Sequence, residues 1–289
     1  MKNFLWLLIM SIPIWSAQND VFPTDYVANK QGNIVTTIYV SESEADEYYL
    51  HDKKILDETL SSSIQVLRVG YTTEFFGFTT AFTGVGFHAK NTFEGTTLET
   101  LYPKSTSGYG DVRLGVTTWL LNNHEKMEYF AITPMVSIPI GTYDPSRSIN
   151  IGENRYKATL SAGYVNRFLH GNAGELFFEF SPELAFFGDN DNAHGRKIQQ
   201  DPSFALTGYI RYRPIPITGL FLGYQMNQGG ETTTNGIAQN DEVKNSRIMA
   251  GVAFFAYKTQ IILRHAEDIG IENGFKSNRY TTLRFQWNF

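Results

Sequence analysis

The sequence predicts an all-β protein: a transmembrane antiparallel up-and-down β-barrel of about twelve strands, with long outer loops and short periplasmic turns. Three observations predict this fold. The chain ends in an amphipathic strand at Phe289, it begins like an exported protein, and long and short connections alternate between its strand candidates. Single-chain bacterial barrels have an even number of strands, short periplasmic turns and longer outer loops.

The last eleven residues form a strand with one apolar and one polar face. Side chains alternate along a strand, so one face carries Thr281, Leu283, Phe285, Trp287 and Phe289. In water such an edge would promote aggregation, but in a barrel closed within lipid no edge remains. The segment resembles the C-terminal insertion signal of bacterial outer-membrane proteins. We therefore expect Phe285, Trp287 and Phe289 to be read by the barrel assembly machinery.

The N-terminus has the layout of a cleavable secretory signal peptide over residues 1–17. A short basic start precedes an apolar run over residues 4–15, and the small residues Ser16 and Ala17 follow. This run is shorter than a spanning helix requires. We expect export to the bacterial outer membrane and a single barrel domain over residues 18–289. The chain has no cysteine, which excludes disulfides and thiolate chemistry, and its net charge of −5 argues against a nucleic-acid partner.

Twelve segments alternate apolar and polar residues or are otherwise rich in strand-forming residues. They cover residues 32–40, 62–71, 75–87, 108–119, 127–139, 154–168, 174–187, 202–213, 217–227, 244–257, 259–269 and 277–289. The connections at 41–61, 88–107, 140–153, 188–201 and 228–243 are long and polar, and those between them are short. Only the final outer loop, 270–276, is short for its position.

Three motifs in the middle of the chain resemble one family. Residues 108–115, GYGDVRLG, resemble a G-x-G-D strand opening. Residues 138–144, IPIGTYD, are similar to a P-x-G-x-Y-D loop entry, and residues 150–156, NIGENRY, to an N-x-G-x-N-R element in which Tyr156 stands where Trp is common. These motifs are typical of the family called meta-pathway of phenol degradation. The resemblance covers roughly residues 60–289, and it implies an outer-membrane barrel and a channel or transporter for small hydrophobic solutes, among them aromatic or anionic ones.

The pleat of the strands predicts a set of charged side chains in the lumen, because a charge facing lipid costs about 2–4 kcal/mol at the midplane. The predicted charge ladder consists of Asp111, Arg113, Arg155, Lys157, Arg167, Glu175, Glu179, Glu183, Arg211, Arg213, Arg247, Arg264 and Arg284. Opposite charges on neighbouring strands stabilise their pairing. Phe178 and Phe180 are expected to face lipid.

Two interpretations of this ladder stay open: a salt-bridge network that fills a structural barrel without transport, and a path for solutes. With Arg68 added, ten inward basic residues oppose four acids, Asp111, Glu175, Glu179 and Glu183. A positive constriction concentrates anions, so the second interpretation predicts mild anion selectivity.

The sequence offers little for catalysis, and we expect no enzyme activity, no cofactor and no metal. It contains neither HExxH nor GxSxG. An outer-membrane lipid hydrolase is the alternative from another class, and His265 beside Glu267 and Asp268 is its only candidate base. The first predicted outer loop is acidic, with Glu42, Glu44, Asp46 and Glu47. It is either a solvated charged loop or a contact with lipopolysaccharide through divalent cations.

Overall fold

The computed structural model describes residues 20–289, and the predicted signal peptide lies outside the described residues. Twelve long antiparallel strands close into one barrel, because the last strand pairs with the first from Val35 opposite Asn288 to Tyr49 opposite Gly274. The predicted fold class and strand number are confirmed. Among residues 20–289, no helix is long and apolar enough to cross a membrane.

Every barrel strand falls on a predicted segment. The barrel strands are β1 (Ile34–Leu50), β3 (Thr59–Phe75), β4 (Phe78–Glu94), β6 (Val112–Asn123), β7 (Glu128–Ile138), β8 (Lys157–Gly171), β9 (Gly174–Phe187), β12 (Ser203–Ile215), β13 (Thr218–Gly229), β16 (Val243–Ala256), β17 (Thr259–Ile271) and β18 (Gly274–Asn288). Each strand pairs with the next one in this order. The start of β1, the end of β18 and the five short turns lie at one rim, which is the periplasmic rim of such barrels.

The long connections at the other rim carry further structure. They contain β2 (Lys53–Leu56), the short helix α1 (Thr96–Leu101), β5 (Ser105–Tyr109), β10 (Asn190–Ala193), β11 (Arg196–Gln200), β14 (Thr232–Thr234) and β15 (Ile237–Ala238). Strands β10, β11, β14 and β15 form a separate four-stranded sheet.

The first predicted outer loop, 41–61, is wrong in its bounds. Strand β1 continues to Leu50 and β3 begins at Thr59, so most of this range extends the barrel wall. Glu42 and Glu44 thus occupy outward positions of a strand, where a charge facing lipid would be costly. Glu44 instead binds Arg279 of β18 at 2.6 Å between its carboxylate and the guanidinium. The wall therefore continues beyond the apolar band into a part with charged outward residues, which includes Glu44 and Arg279 and is called the charged outer collar below.

The lipid-facing surface follows the predicted alternation. Phe178 and Phe180 of β9 face outward, with 42% and 38% of their surfaces exposed. Phe285, Trp287 and Phe289 also face outward, and the rings of Trp287 and Phe289 contact each other with centroids 6.3 Å apart. The backbone nitrogen of Phe289 donates to the carbonyl of Ile34 at 2.8 Å. The terminal aromatic residue thus lies at the seam that closes the barrel.

Replacing Phe289 with Asp should reduce the folded fraction in the outer membrane severalfold. The change removes the aromatic end of the insertion signal and places a charge at the lipid interface. Heat-modifiable mobility on a gel measures the folded fraction, and Tyr257→Asp, at an exposed periplasmic turn, is the matched control. Wild-type folding of the Phe289 variant would contradict the expectation.

Candidate functional site

The predicted ladder residues lie in and around the lumen. Those at inward positions of barrel strands are Arg113, Lys157, Arg167, Glu175, Glu179, Glu183, Arg211, Arg213, Arg247, Arg264 and Arg284. Asp111 and Arg155 lie just before β6 and β8, in the connections at the outer rim. The placement follows the pleat of the strands, and its role as a solute path stays a prediction.

The three neighbouring strands β8, β9 and β12 carry the ion pairs expected from their basic, acidic and basic patterns. Glu175 binds Arg167 at 2.8 Å and also pairs with Arg213. Deeper in the barrel, Glu179 binds Arg211 at 2.7 Å, and the Arg211 guanidinium lies 3.9 Å from the centroid of the Phe177 ring. The pairs tie adjacent strands together and let these charges stay buried.

Among residues 20–289, four carboxylates that the sequence analysis did not place there lie in the lumen or at its outer mouth: Asp20, Asp25, Glu153 and Asp268. Asp268 lies on the inward face of β17 and binds Arg247 at 2.7 Å. The predicted count of ten basic residues against four acids was therefore wrong on the acidic side, because eight acids are present. The positive surplus falls to two.

Two of these carboxylates belong to residues 20–28, which lie inside the barrel and are called the lumen segment below. Asp25 binds Arg68 of β3 and Arg284 of β18, each at 3.0 Å. Asp20 accepts a hydrogen bond of 2.7 Å from Arg264 of β17 and one of 2.9 Å from the Tyr280 hydroxyl. Strand alternation could not reveal this arrangement, because the segment is not a strand.

Phe22 anchors the lumen segment on the side of β1 and β17. Its ring packs at 5.3 Å from the ring of Tyr39, and the Arg264 guanidinium lies 3.9 Å from its centroid. Such a cation–π contact gains strength when it is shielded from water. The Phe22 ring thus packs against Arg264, whose charge is balanced by Asp20, and Asp25 balances the charge of Arg284.

Tyr26 anchors the segment on the opposite side. Its hydroxyl donates to Ser161 of β8 at 3.1 Å, and its carbonyl accepts from the Trp119 indole at 2.8 Å. A Cβ on Gly163 would lie 2.0 Å from the Tyr26 ring, so only glycine leaves space for it there. The backbone nitrogen of Thr24 completes the attachment by donating to Glu179 at 2.6 Å. The segment is thus held by wall residues on opposite sides of the lumen.

The three family motifs meet at the outer end of β6. Asp111 accepts hydrogen bonds from the backbone nitrogens of Gly141 at 2.9 Å and Glu153 at 2.8 Å. A Cβ on Gly141 would come within 2.7 Å of the Gly110 backbone, and a Cβ on Gly110 would lie 1.8 Å from the Phe87 ring, which explains a glycine at each of these positions. Asp111 therefore holds the loop between β7 and β8 against the barrel wall, and the sequence analysis had assigned it to the ladder.

Glu153 of this loop lies among basic groups at the outer mouth. It binds Arg155 at 3.0 Å, and the Arg155 guanidinium lies 4.8 Å from the Phe187 ring centroid. Burial alone would raise the pKa of Glu153, but the positive charges of Lys157 and Arg155 outweigh it and hold that pKa below its usual value. The carboxylate thus stays ionised at the mouth.

A cavity of about 340 Å³ lies on the outer side of the lumen segment. Its floor includes Phe22 and Tyr26, and its upper boundary reaches Gly229 and Gly274 near the outer hairpins. A solute entering from outside would therefore reach the cavity before the lumen segment.

The hydrolase alternative depended on His265, which faces outward on β17. Its Nδ1 lies 3.0 Å from the Thr281 hydroxyl and its Nε2 lies 3.3 Å from Glu267. At this position β17 is paired with β16 and β18, and β18 is paired with β17 and β1. The backbone amides of β17 and β18 are therefore engaged in the sheet. Backbone amides are the usual donors to the oxyanion formed in acyl transfer. The described contacts at His265 therefore supply a base and a hydroxyl group, but no backbone amide that could donate to an oxyanion.

Replacing Asp25 with Asn should lower the free energy of unfolding by about 3 kcal/mol, the lower end of the cost of breaking a buried ion pair. Arg284 would keep a buried charge without its carboxylate partner. Urea unfolding from lipid vesicles, followed by Trp119 fluorescence, measures the change. Asp57→Asn, at an exposed carboxylate paired with Lys54, is the control, and equal stability of the two variants would contradict the expectation.

Comparison with known proteins identifies close structural counterparts among outer-membrane proteins. The COG4313 outer membrane channel from Pseudomonas putida F1 superposes with a TM-score of 0.85 at 26% identity, over 93% of this chain and 100% of that one. The β domain of the Bordetella autotransporter BrkA reaches 0.53 at 10% identity, over 90% and 100%, and shows a likeness of fold alone. No curated protein matches the sequence.

The family model for the MetA-pathway of phenol degradation matches residues 28–285. This range contains all twelve barrel strands apart from the last three residues of β18, together with the three motifs around Asp111. The fold, the outer-membrane channel counterpart and the motif contacts agree with the match. The chain therefore belongs to the MetA-pathway of phenol degradation family, and it has the barrel of an outer-membrane channel.

Proposed function

We propose that the protein is an outer-membrane channel for small amphipathic solutes, and that the lumen segment closes it. The observation that carries this proposal is the cavity of about 340 Å³, which lies within the barrel and stops at Phe22 and Tyr26. A closed barrel with a polar interior provides a route through the membrane. The likeness to a solved outer membrane channel supports the same function.

The cavity combines apolar and polar walls, which suits solutes that carry both kinds of surface. Val66, Val85 and Phe87 contribute apolar side chains from β3 and β4, whereas Gln225 and Asn227 contribute amides from β13 on the opposite side. Ligand sites commonly combine an apolar lining with a few polar groups. We propose small aromatic or aliphatic molecules as the class of solute.

The lumen charges support a weak preference for anions among permeating ions. Ten basic residues face eight acidic ones, so a small positive surplus remains after pairing. A positive constriction attracts anions by an amount that falls as salt screens it.

The lumen segment itself favours a second candidate, a structural barrel that stays filled. Buried ion pairs through Asp20 and Asp25 fix the segment to three strands. In that case the charge ladder would serve stability alone, and dislodging the segment would not create a specific path for solutes.

Conductance in planar bilayers distinguishes the two candidates. Gly163→Ala places a Cβ 2.0 Å from the Tyr26 ring, whereas Gly86→Ala places one where nothing lies within 4 Å. If the segment closes a channel, the Gly163 variant should show an open state at least about tenfold more often, a shift of about 1.4 kcal/mol. The Gly86 variant should match the wild type.

The reversal potential of the same records tests the charge argument. We expect a mild anion preference, which weakens as salt is raised. Absence of conductance in the wild type and the Gly163 variant, with both folded by heat-modifiable mobility, would favour the filled barrel. A cation-selective open state would contradict the role proposed for the lumen arginines.

The export route and remaining partners are part of the same proposal. A cleavable signal over residues 1–17 would deliver the chain, and the strand ending at Phe289 would engage the barrel assembly machinery. The charged outer collar around Glu44 and Arg279 would lie at the level of the lipopolysaccharide headgroups.

A further inference from the structure

We propose that the cavity above the lumen segment holds a binding site for a neutral amphipathic molecule that carries a hydroxyl group, on the wall formed by β3, β4 and β5. The inference rests on the proposed function and names its site and its class of ligand. The wall has a polar row at its outer end and two apolar rows below it.

The polar row lies across three adjacent strands. Ser62 of β3 is opposite Asn91 of β4, and Asn91 is opposite Thr106 of β5. The Ser62 hydroxyl donates to Asn91 Oδ1 at 2.7 Å. Asn91 is only 2% exposed and lines the cavity.

Two polar atoms of this row are buried without a hydrogen-bond partner among residues 20–289: Asn91 Nδ2 and Thr106 Oγ1. Leaving a buried polar atom unpaired costs about 1–3 kcal/mol. Native structures tolerate such atoms where a ligand or an ordered water supplies the partner. Of these two residues Asn91 lines the cavity, so its unpaired amide nitrogen indicates a place where a polar group from outside the chain is bound.

The chemistry of the two atoms selects a hydroxyl group. The Asn91 amide nitrogen needs an acceptor, and the Thr106 hydroxyl can donate or accept. If the amide is rotated by 180°, Asn91 instead presents an acceptor. A ligand hydroxyl both donates and accepts, so it satisfies the Asn91 amide in either orientation.

The rows below supply an apolar surface for the rest of the molecule. Ile64 is opposite Ala89, and Val66 is opposite Phe87. All four side chains line the cavity, and none of them carries a charge. An apolar body of ring size lying on this surface would place its hydroxyl next to Asn91.

A neutral ligand suits the electrostatics of the wall. Arg68 below the apolar rows is paired with Asp25. Arg113, which lies 5.4 Å from the Phe87 ring centroid, is in the field of Asp111, Glu153 and Glu183. A carboxylate or an ammonium group would lose its hydration here without an uncommitted counter-charge on the wall.

Three ring compounds of nearly equal size test the site: benzyl alcohol, benzoate and benzylamine. Binding to the purified full-length barrel in detergent micelles is measured by saturation-transfer NMR, with empty micelles subtracted. We expect benzyl alcohol to bind at least about fivefold more tightly than either ion. Tighter binding of benzoate would overturn the choice of a neutral ligand and point to the arginines.

Variants locate the binding on the wall. Asn91→Leu removes the amide, and Ala89→Phe fills the apolar surface without removing a polar group. Each should weaken binding of benzyl alcohol about tenfold, equivalent to about 1.4 kcal/mol. Thr37→Val is the control, because Thr37 also has an unpartnered buried oxygen among the described residues but is not one of the residues that line the cavity.

The pattern of results separates this inference from the channel function. Equal losses in the Asn91 and Thr37 variants, or unchanged binding in a folded Ala89 variant, would overturn the site. Conductance of the Gly163 variant together with absent binding would refute the site alone. Binding lost in the two wall variants, without conductance in any variant, would refute the channel and leave the site standing.

Discussion

The structure depends on one constraint: charged side chains of a barrel wall in lipid must point inward. Arg264, Arg284 and Arg211 are consequently buried in the lumen, each only 1% exposed. Buried charges are costly unless they are paired. The barrel wall provides Glu179 for Arg211, whereas the lumen segment provides Asp20 for Arg264 and Asp25 for Arg284. The segment is thus the counter-charge that lets the barrel keep its arginines, as well as an obstruction within it.

Strand alternation was sufficient to predict the barrel and most of its inward charges, because the side-chain period of two is fixed by the backbone. Alternation did not predict the wall beyond the apolar band or the lumen segment. The wall beyond the apolar band continues past Glu42 and Glu44, since outward charges are harmless once lipid ends. The lumen segment follows no alternation, and its contacts join Asp20 and Asp25 to strands more than forty residues away. Asp268 was readable from the pattern of β17 and was overlooked beside His265.

The residues of the family motifs have a structural role that their spacing did not reveal. Asp111 was assigned to the ladder by its position near a strand, yet its carboxylate binds two backbone amides of the loop between β7 and β8. The glycines around it allow close approach of backbones. The motifs therefore fix the outer mouth, whereas the unpartnered atoms of Asn91 and Thr106 lie in a row that no motif includes. The family motifs and the candidate binding site therefore involve different residues of this barrel.

The attachment of the lumen segment also sets an order for assembly. Asp20 contacts Arg264 and Tyr280, which follow it by 244 and 260 residues. The lumen segment, which precedes every barrel strand in the sequence, is therefore anchored by β17 and β18, which follow the other barrel strands. Contacts between residues so distant in sequence form slowly, because the intervening chain must first be ordered. The segment can reach its final position only when β17 and β18 are in place. The lumen is therefore closed only after the barrel is complete.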